Sequence, residues 1–316
     1  MITIATYATK RYAYALPNFG RRIAASIVHA KKKKGTFLFV TDKSETIEHL
    51  ANKYVKEVLP DGWNFELIQL DIQDDDLKNY KNDAQLMIAH MQGVAMTEAR
   101  RIGSKYFWSL ESDVLVPYNA LKVSEQVLEL DDGYYDVAMC TYPSQGGGSF
   151  LGGRGSYQHP IAEDYLPEER EVPEELQVKV DEREEQLKNK EFRPDEEWWK
   201  ERQEIFEAIK KCPPKQDIFK TIGEHGWRQR GWMEAAYPAL GKGCILPTDW
   251  VGMGCTMLST KALAMAHFDG YQGAGTQDLH LCWHHWKPQG LNMAVITHAI
   301  CDHVVRARSE EGDNQD

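Results

Sequence analysis

Residues 105–121, KYFWSLESDVLVPYNAL, decide how the rest of the chain is read. KYFWSL (105–110) is a short aromatic and apolar run of the kind that forms a strand. It ends in two carboxylates one residue apart, Glu111 and Asp113, and passes through VLVP into YNALKVSEQVLEL (118–130). There the apolar residues recur at helical spacing. Residues two apart on a strand point to the same side, and ligands of open α/β sheets bind outside the carboxyl ends of the strands. Two hard oxygen ligands at such an end suit Mg²⁺ or Mn²⁺, which keep few protein ligands and fill the rest of their shell with water or phosphate. On spacing alone, the pair also reads as a solvated acidic turn.

Working outward, further strand-like runs are ITIAT (2–6), TFLFVT (36–41), FELIQL (65–70) and YDVAMC (135–140). Amphipathic stretches lie between them: NFGRRIAASIVHA, SETIEHLANKYVKEVL and DAQLMIAHMQGVAMTEARRIG. This alternation predicts an α/β fold with a mixed central sheet and crossover helices. In the third helix Ala84, Ile88, Met91, Ala95, Ala99 and Ile102 share one face, the expected core side. Residues 146–160 are glycine-rich and read as a loop, either a lid or a linker. Residues 161–211 form a charged insert with sparse apolar positions, expected as one or two surface helices. From 244 the dense pattern returns, with a helix predicted over DLHLCWHHWKPQG (278–290) and a strand over MAVITH (293–298). The expected organisation is thus 1–145 and 212–308 as the two parts of one domain, interrupted by the loop and the insert and closed by an acidic tail at 309–316.

The formal charge of -11 is unevenly spread. The insert carries 18 acidic and 10 basic residues and the tail four acidic ones, which leaves 27 basic and 26 acidic residues elsewhere. Net charge therefore does not exclude a polyanionic partner. No apolar run approaches the ~18 residues of a membrane span, and MITIATYATK does not read as a secretory signal, so no membrane and a cytoplasmic location are expected. The six cysteines show no CxxC pairing and read as reduced core thiols. ATYATKRYA after the first strand supplies neither GxGxxG nor GxxxxGK[ST], which argues against dinucleotide and P-loop chemistry.

Several motifs have competing readings. His280 and His284 fall at i, i+4 on the predicted helix and could bind zinc, but the glutamate of HExxH is missing, and packing or acceptor-side surface is the plainer reading for the histidines there. KKKK (31–34) reads as a helix end complementing the dipole. WRQRGW (227–232) interleaves arginine with tryptophan and is the candidate acceptor contact, through Trp227, Arg228 and Arg230, with Trp250 as a further stacking surface.

YFWSLESDVLVPYNAL resembles the strand and D-x-D-type motif of GT-A-fold glycosyltransferases, particularly phage-type members. IATYATKRY, TFLFVTDKSETIEHLANKYV, DVAMCTYPSQ, DWVGMGCTMLSTKAL and GTQDLHLCWHHWKPQGLNMAVITHAICDHV are similar to that family's other segments in the same order. The resemblance covers roughly residues 2–145 and 248–305; the insert has no counterpart in it. It implies a Rossmann-like nucleotide-sugar-binding fold and a metal-dependent transfer from a nucleotide sugar, a UDP-sugar first, with Mn²⁺ or Mg²⁺ as cofactor. Asp113 and His303 would hold the metal, and Glu111 would face the ribose or a metal-bound water, standing where the family usually has Asp. Asp278 would be the base, with Gln277 where Glu is usual. Thr6, Tyr7, Lys10 and Asp42 would meet the nucleotide. A single base without a carboxylate nucleophile implies inversion. The resemblance suggests a 5-hydroxymethylpyrimidine of phage DNA as first acceptor, with a cell-surface glycan or protein hydroxyl second. A non-catalytic nucleotide-sugar-binding protein of the same fold is the contrasting class.

Overall fold

A computed structural model describes residues 1–71, 81–143, 152–153, 172–189, 192–212, 241–273 and 276–304. The chain divides into two compact units, Met1–His159 with Gly231–Asp316, and Pro160–Arg230.

In the first unit the expected strands form as β1 (Ile2–Tyr7), β2 (Gly35–Asp42), β3 (Trp63–Leu70), β4 (Tyr106–Glu111) and, past the two-residue β5 (Val114–Leu115), β6 (Val137–Thr141). Later come β7 (Gly152–Gly153), β8 (Ile245–Thr248), β9 (Trp250–Val251), β10 (Cys255–Ser259), β11 (Met293–Ile300) and β12 (Asp302–His303). Eight of these make one sheet in the order β3-β2-β1-β4-β10-β6-β11-β8. The pairs β3-β2, β2-β1, β1-β4 and β6-β11 are parallel, whereas β10 runs antiparallel to both β4 and β6, and β8 runs antiparallel to β11. The α/β class and the mixed central sheet expected from the sequence are what the chain adopts.

Every residue of β1 and β2 is buried, the unbroken apolar signature of a parallel strand covered on both faces. The covering helices are α1 (Leu16–His29), α2 (Glu45–Tyr54), α3 (Lys81–Ile102) and α4 (Ala120–Glu129), with α3 packed on β1 and β2 and α4 on β6 and β10. Helix α1 starts with Pro17 in its first turn, where a missing N–H costs nothing, and after its cap at Ala30 the chain turns out through Lys31, which takes a left-handed φ of 54°. The KKKK run therefore lies just past the helix. Of the predicted α3 stripe, Met91, Ala95 and Ala99 are buried and Ala84, Ile88 and Ile102 are partly so.

Two expectations need correction. The helix predicted over 278–290 is α-helical only over Gln277–His280; Leu281–Trp286 is a π-helix and Lys287–Gln289 a 3₁₀ turn. Of the six cysteines, all free, only Cys140, Cys255, Cys282 and Cys301 are buried, while Cys212 and Cys244 are partly exposed.

The second unit contains α5 (Glu174–Lys188) and α6 (Glu196–Lys210). Asp195 caps α6 by accepting from the Trp198 backbone N–H at 2.8 Å. The Trp198 indole packs edge-on against Phe192 and donates to Gln186 at 2.6 Å, tying the two helices together. Arg183 stands over the Trp198 ring and pairs with Glu201. Of the other apolar residues of this pair, Val178, Leu187, Trp199 and Phe206 are exposed, and α5 has no buried residue.

Candidate functional site

The sheet order reverses at β1, with β2 on one side and β4 on the other, so a crevice opens at the carboxyl ends of β1 and β4. Tyr7 and Glu111, the last residues of these strands, are register partners. The cavity at this point, about 140 Å³, is lined by Tyr7, Thr9, Tyr12, Met91, Glu111 and Asp113, among others. A larger hollow of about 960 Å³ between α3 and residues 267–271 is lined by neither Glu111 nor Asp113. The chemistry is assigned to the smaller one, because there Glu111 and Asp113 stand at the end of β4 beside the end of β1.

β10 supplies the floor. The Glu111 N–H donates to the Gly254 carbonyl at 2.9 Å, and the Gly254 N–H donates to the Tyr142 hydroxyl at 2.8 Å. A Cβ on residue 254 would lie 2.7 Å from that hydroxyl and 3.0 Å from Glu111 Oε2, so only glycine fits here. Ser109 Oγ is 2.9 Å from the Met253 carbonyl and 3.2 Å from the Tyr7 hydroxyl.

The third wall comes from the far end of the sequence. β12 pairs with β5, setting His303 opposite Val114, and the Val304 N–H donates to the Asp113 carbonyl at 2.8 Å. His303 Nε2 thereby comes to 3.4 Å from Asp113 Oδ2, with side chains only 4% and 6% exposed. Its other nitrogen, Nδ1, is 2.8 Å from the Pro143 carbonyl. A carbonyl can only accept, so Nδ1 carries the proton and Nε2 presents a lone pair, buried and without a well-formed hydrogen bond of its own.

Glu111, Asp113 and His303 can each offer a ligand atom such that all three lie within 4.8 Å of one another. Burial, then the nearby Asp113 and Asp278 charges, push the Glu111 carboxyl up to about 8, against a smaller opposing effect of His303. Burial alone would lower the His303 imidazole, but the Asp113 carboxylate and Pro143 carbonyl outweigh it and the net direction is up. Clustered buried carboxyls raised this way mark a place short of positive charge. Two carboxylates and one oriented imidazole lone pair fit a hard divalent cation such as Mn²⁺ or Mg²⁺.

Asp278 sits in the first turn of α7 (Gln277–His280), capped by Thr276 Oγ1. It is half-buried, and burial raises its carboxyl to about 7, offset in part by a hydrogen bond with the Met253 backbone. Its charge is felt at Glu111, Tyr7 and Tyr142, which locates it at the same crevice. Gln277 Nε2 donates to Asp278 Oδ1 at 3.0 Å. Burial also pushes the Tyr7 and Tyr142 phenols up, so both stay neutral donors.

The other sequence candidates are more dispersed. Asp42 ends β2, buried, accepting from Thr41 Oγ1 at 3.1 Å, and Thr6 is buried with an unpartnered hydroxyl. Lys10 is exposed, and neither it, Thr6 nor Asp42 lines the small cavity. Trp250 pairs with Gly153 in the β7-β9 ribbon, and its indole N–H is buried without a partner. Trp227, Arg228 and Arg230 lie outside the described residues, as does most of the 146–160 loop and all of the 309–316 tail. Sequence reasoning missed Tyr142, Ser109 and Gly254; for Gly254 the VGMG run was the available signal.

No protein-family model and no curated protein matches the chain. Among solved structures it is similar to A197 from STIV, at 9% identity over 98% of this chain and 88% of that one, with a TM-score of 0.40. It is also similar to S. aureus TarS 1-349, at 13% identity over 52% of this chain and 44% of that one (TM-score 0.35). To the same protein in complex with UDP-GlcNAc it is 16% identical over 47% of this chain and 36% of that one (TM-score 0.33). The chain thus spans less than half of TarS 1-349. Likenesses this distant carry no function from one protein to another.

Among the described residues no helix is long and apolar enough to cross a membrane.

Proposed function

We propose that this chain is a metal-dependent glycosyltransferase that moves a sugar from a nucleoside diphosphate sugar, a UDP-sugar, to an acceptor hydroxyl with inversion. The observation that supports it most is the meeting of Glu111, Asp113 and the Nε2 lone pair of His303 at the crevice where Asp278 also lies. Asp113 and His303 would hold the ion, with Glu111 beside them. A bound divalent ion supplies charge neutralisation for a leaving diphosphate.

The remaining work falls to the protein. Asp278, with a carboxyl near neutrality, suits a general base at physiological pH. As it takes the proton of the acceptor hydroxyl, that oxygen attacks the anomeric carbon. The bond from that carbon to the diphosphate oxygen breaks, and the electron pair leaves with the nucleoside diphosphate. One base and one displacement give inversion. Gln277 holds the carboxylate by its amide, and Tyr7 would form the nucleoside side of the crevice, to which Thr6, Lys10 and Asp42 are assigned by the resemblance alone.

The test is release of nucleoside diphosphate from a panel of UDP-sugars with Mn²⁺, read beside thermal stability. A ligand at 100 times its Kd stabilises by ~2.7 kcal/mol. Turnover lost by ~100- to 10,000-fold in Asp278→Asn, with donor binding kept, is the expected result. Donor-induced stabilisation without any release would replace the enzyme by a nucleotide-sugar-binding protein.

For the acceptor we favour a hydroxymethylated pyrimidine in DNA. Its support is the near-neutral balance of the chain outside the insert and tail, and the arginines of WRQRGW. Binding of such DNA should weaken steeply with salt; salt-independent acceptor binding would leave a glycan or protein hydroxyl instead.

A further inference from the structure

The histidines of LHLCWHHW are arranged differently from their sequence spacing. The extra residue in the π-helical turn places His280 and His285, not His280 and His284, nitrogen to nitrogen: their Nε2 atoms are 3.1 Å apart. His267, in the loop after residues 260–265, packs its ring edge-to-face on that of His285, centroids 4.0 Å apart, without its nitrogens yet converging on those of the pair. His284 is exposed, with its ring 5.0 Å from that of His280.

We propose that His280 and His285 form the core of a second metal site that takes a borderline divalent ion of the Zn²⁺ or Co²⁺ class, separate from the carboxylate-rich crevice, and that the exposed His267 side chain turns in to complete it. Two nitrogens each about 2.0–2.1 Å from one ion stand roughly 3.0–3.4 Å apart, and the His280–His285 pair already has that spacing. An all-imidazole set selects such ions over Mg²⁺ or Mn²⁺, which prefer oxygen.

Proton placement agrees. Burial, followed by the surrounding histidines, drives the His285 imidazole down to about 4 and lowers His280 as well, so both rings are neutral near pH 7. Two neutral rings meeting through Nε2 share one proton at most, and an ion replaces that proton. His280 also has a hydrogen bond with the Asp269 backbone, and His267 Nδ1 is 3.1 Å from the Asp269 carboxylate. Such outer contacts fix the tautomer of a metal-binding histidine and leave its other nitrogen free. The scaffold is firm: Leu281, Cys282, Trp283 and Trp286 are buried, and Trp286 Nε1 donates to the Ala262 carbonyl at 3.0 Å. π-turns of this kind recur at functional sites.

The test uses the full chain, free of any affinity tag and stripped of metal, titrated with Co²⁺ alone and followed by its visible absorption. To silence the crevice, the titration is run on the Asp113→Asn/His303→Ala double variant. One equivalent of Co²⁺ should still bind, with the intense bands of a nitrogen-ligated, low-coordinate ion. Adding His280→Ala and His285→Ala should weaken it at least ~100-fold, and His267→Asn alone ~10-fold. His284→Ala should leave it unchanged. Because the inner pair touches the core, circular dichroism accompanies each variant, and exposed His267 provides the variant least able to disturb folding. Failure of the crevice-silenced chain to bind Co²⁺, or equal binding after loss of His267 or of the folded His280/His285 pair, would overturn the site.

Discussion

Glu111 and Gly254 are locked together across antiparallel strands: the N–H of the first donates to the carbonyl of the second at 2.9 Å, and the carboxylate of the first fills the space where a side chain on the second would start. Gly254→Ala must therefore displace Tyr142, Glu111 or the β10 backbone. We expect a loss of about 1–3 kcal/mol, as for overpacked cores, seen as a fall in Tm of roughly 2–4 °C per kcal/mol. An unchanged Tm would mean that Tyr142 swings aside freely.

The proton on His303 Nδ1 is held by the Pro143 carbonyl, and this aims Nε2 at the crevice. His303→Ala should weaken Mn²⁺ binding by about 100-fold or more, since even partners behind a metal ligand are worth ~10- to 100-fold. Titration followed by electron paramagnetic resonance of free Mn²⁺ checks this. Equal affinity in the variant would remove His303 from the ligand set.

Asp278 gives the metal-free protein an unusual pH dependence. Its carboxyl rises from 3.8 to about 7 on folding, so between these values the folded chain binds more protons than the unfolded one. Stability must then fall as pH rises through this window: the contribution is complete below about 4 and gone above about 7. Urea midpoints at pH 5 and pH 8 should show the drop, and Asp278→Asn should lessen it, while Glu111, raised to about 8, keeps a remainder of the same sign. An undiminished drop in that variant would trace the whole effect to Glu111.

Arg100, near the end of α3, donates from one guanidinium nitrogen to the carbonyls of Leu263 at 2.9 Å and Ala266 at 2.8 Å. These carbonyls close the short helix Thr260–Met265 after β10. Arg100→Ala should cost about 1.5–3 kcal/mol, and Arg100→Lys should recover only part of it, because an ammonium cannot span two carbonyls with the same planar geometry. Chemical denaturation of the three proteins measures the difference.

The first four sheet strands were legible because each is a short buried run whose pattern depends on its own residues. The Glu111–Asp113 pair was legible for the same reason. Its surroundings were not. Gly254 and Tyr142 matter only because β10 slips antiparallel between β4 and β6, a pairing of distant segments that no local pattern announces. The histidine helix misled in a different way: residues 278–290 satisfy a 3.6-residue period, and one added residue per turn is invisible to periodicity while changing which imidazoles meet. His303 was reached through resemblance, and the reason for its position is the two-residue ribbon with β5.

That ribbon also fixes a time order. A chain leaving the ribosome exposes both crevice carboxylates early, whereas the imidazole that faces them arrives only when residues 302–304 have been made and paired. Synthesis that halts a few residues short would leave nearly all of the core sheet intact yet without that nitrogen. On the proposed reading, a product ending before residue 302 would keep the sheet and lack the imidazole that faces the two carboxylates.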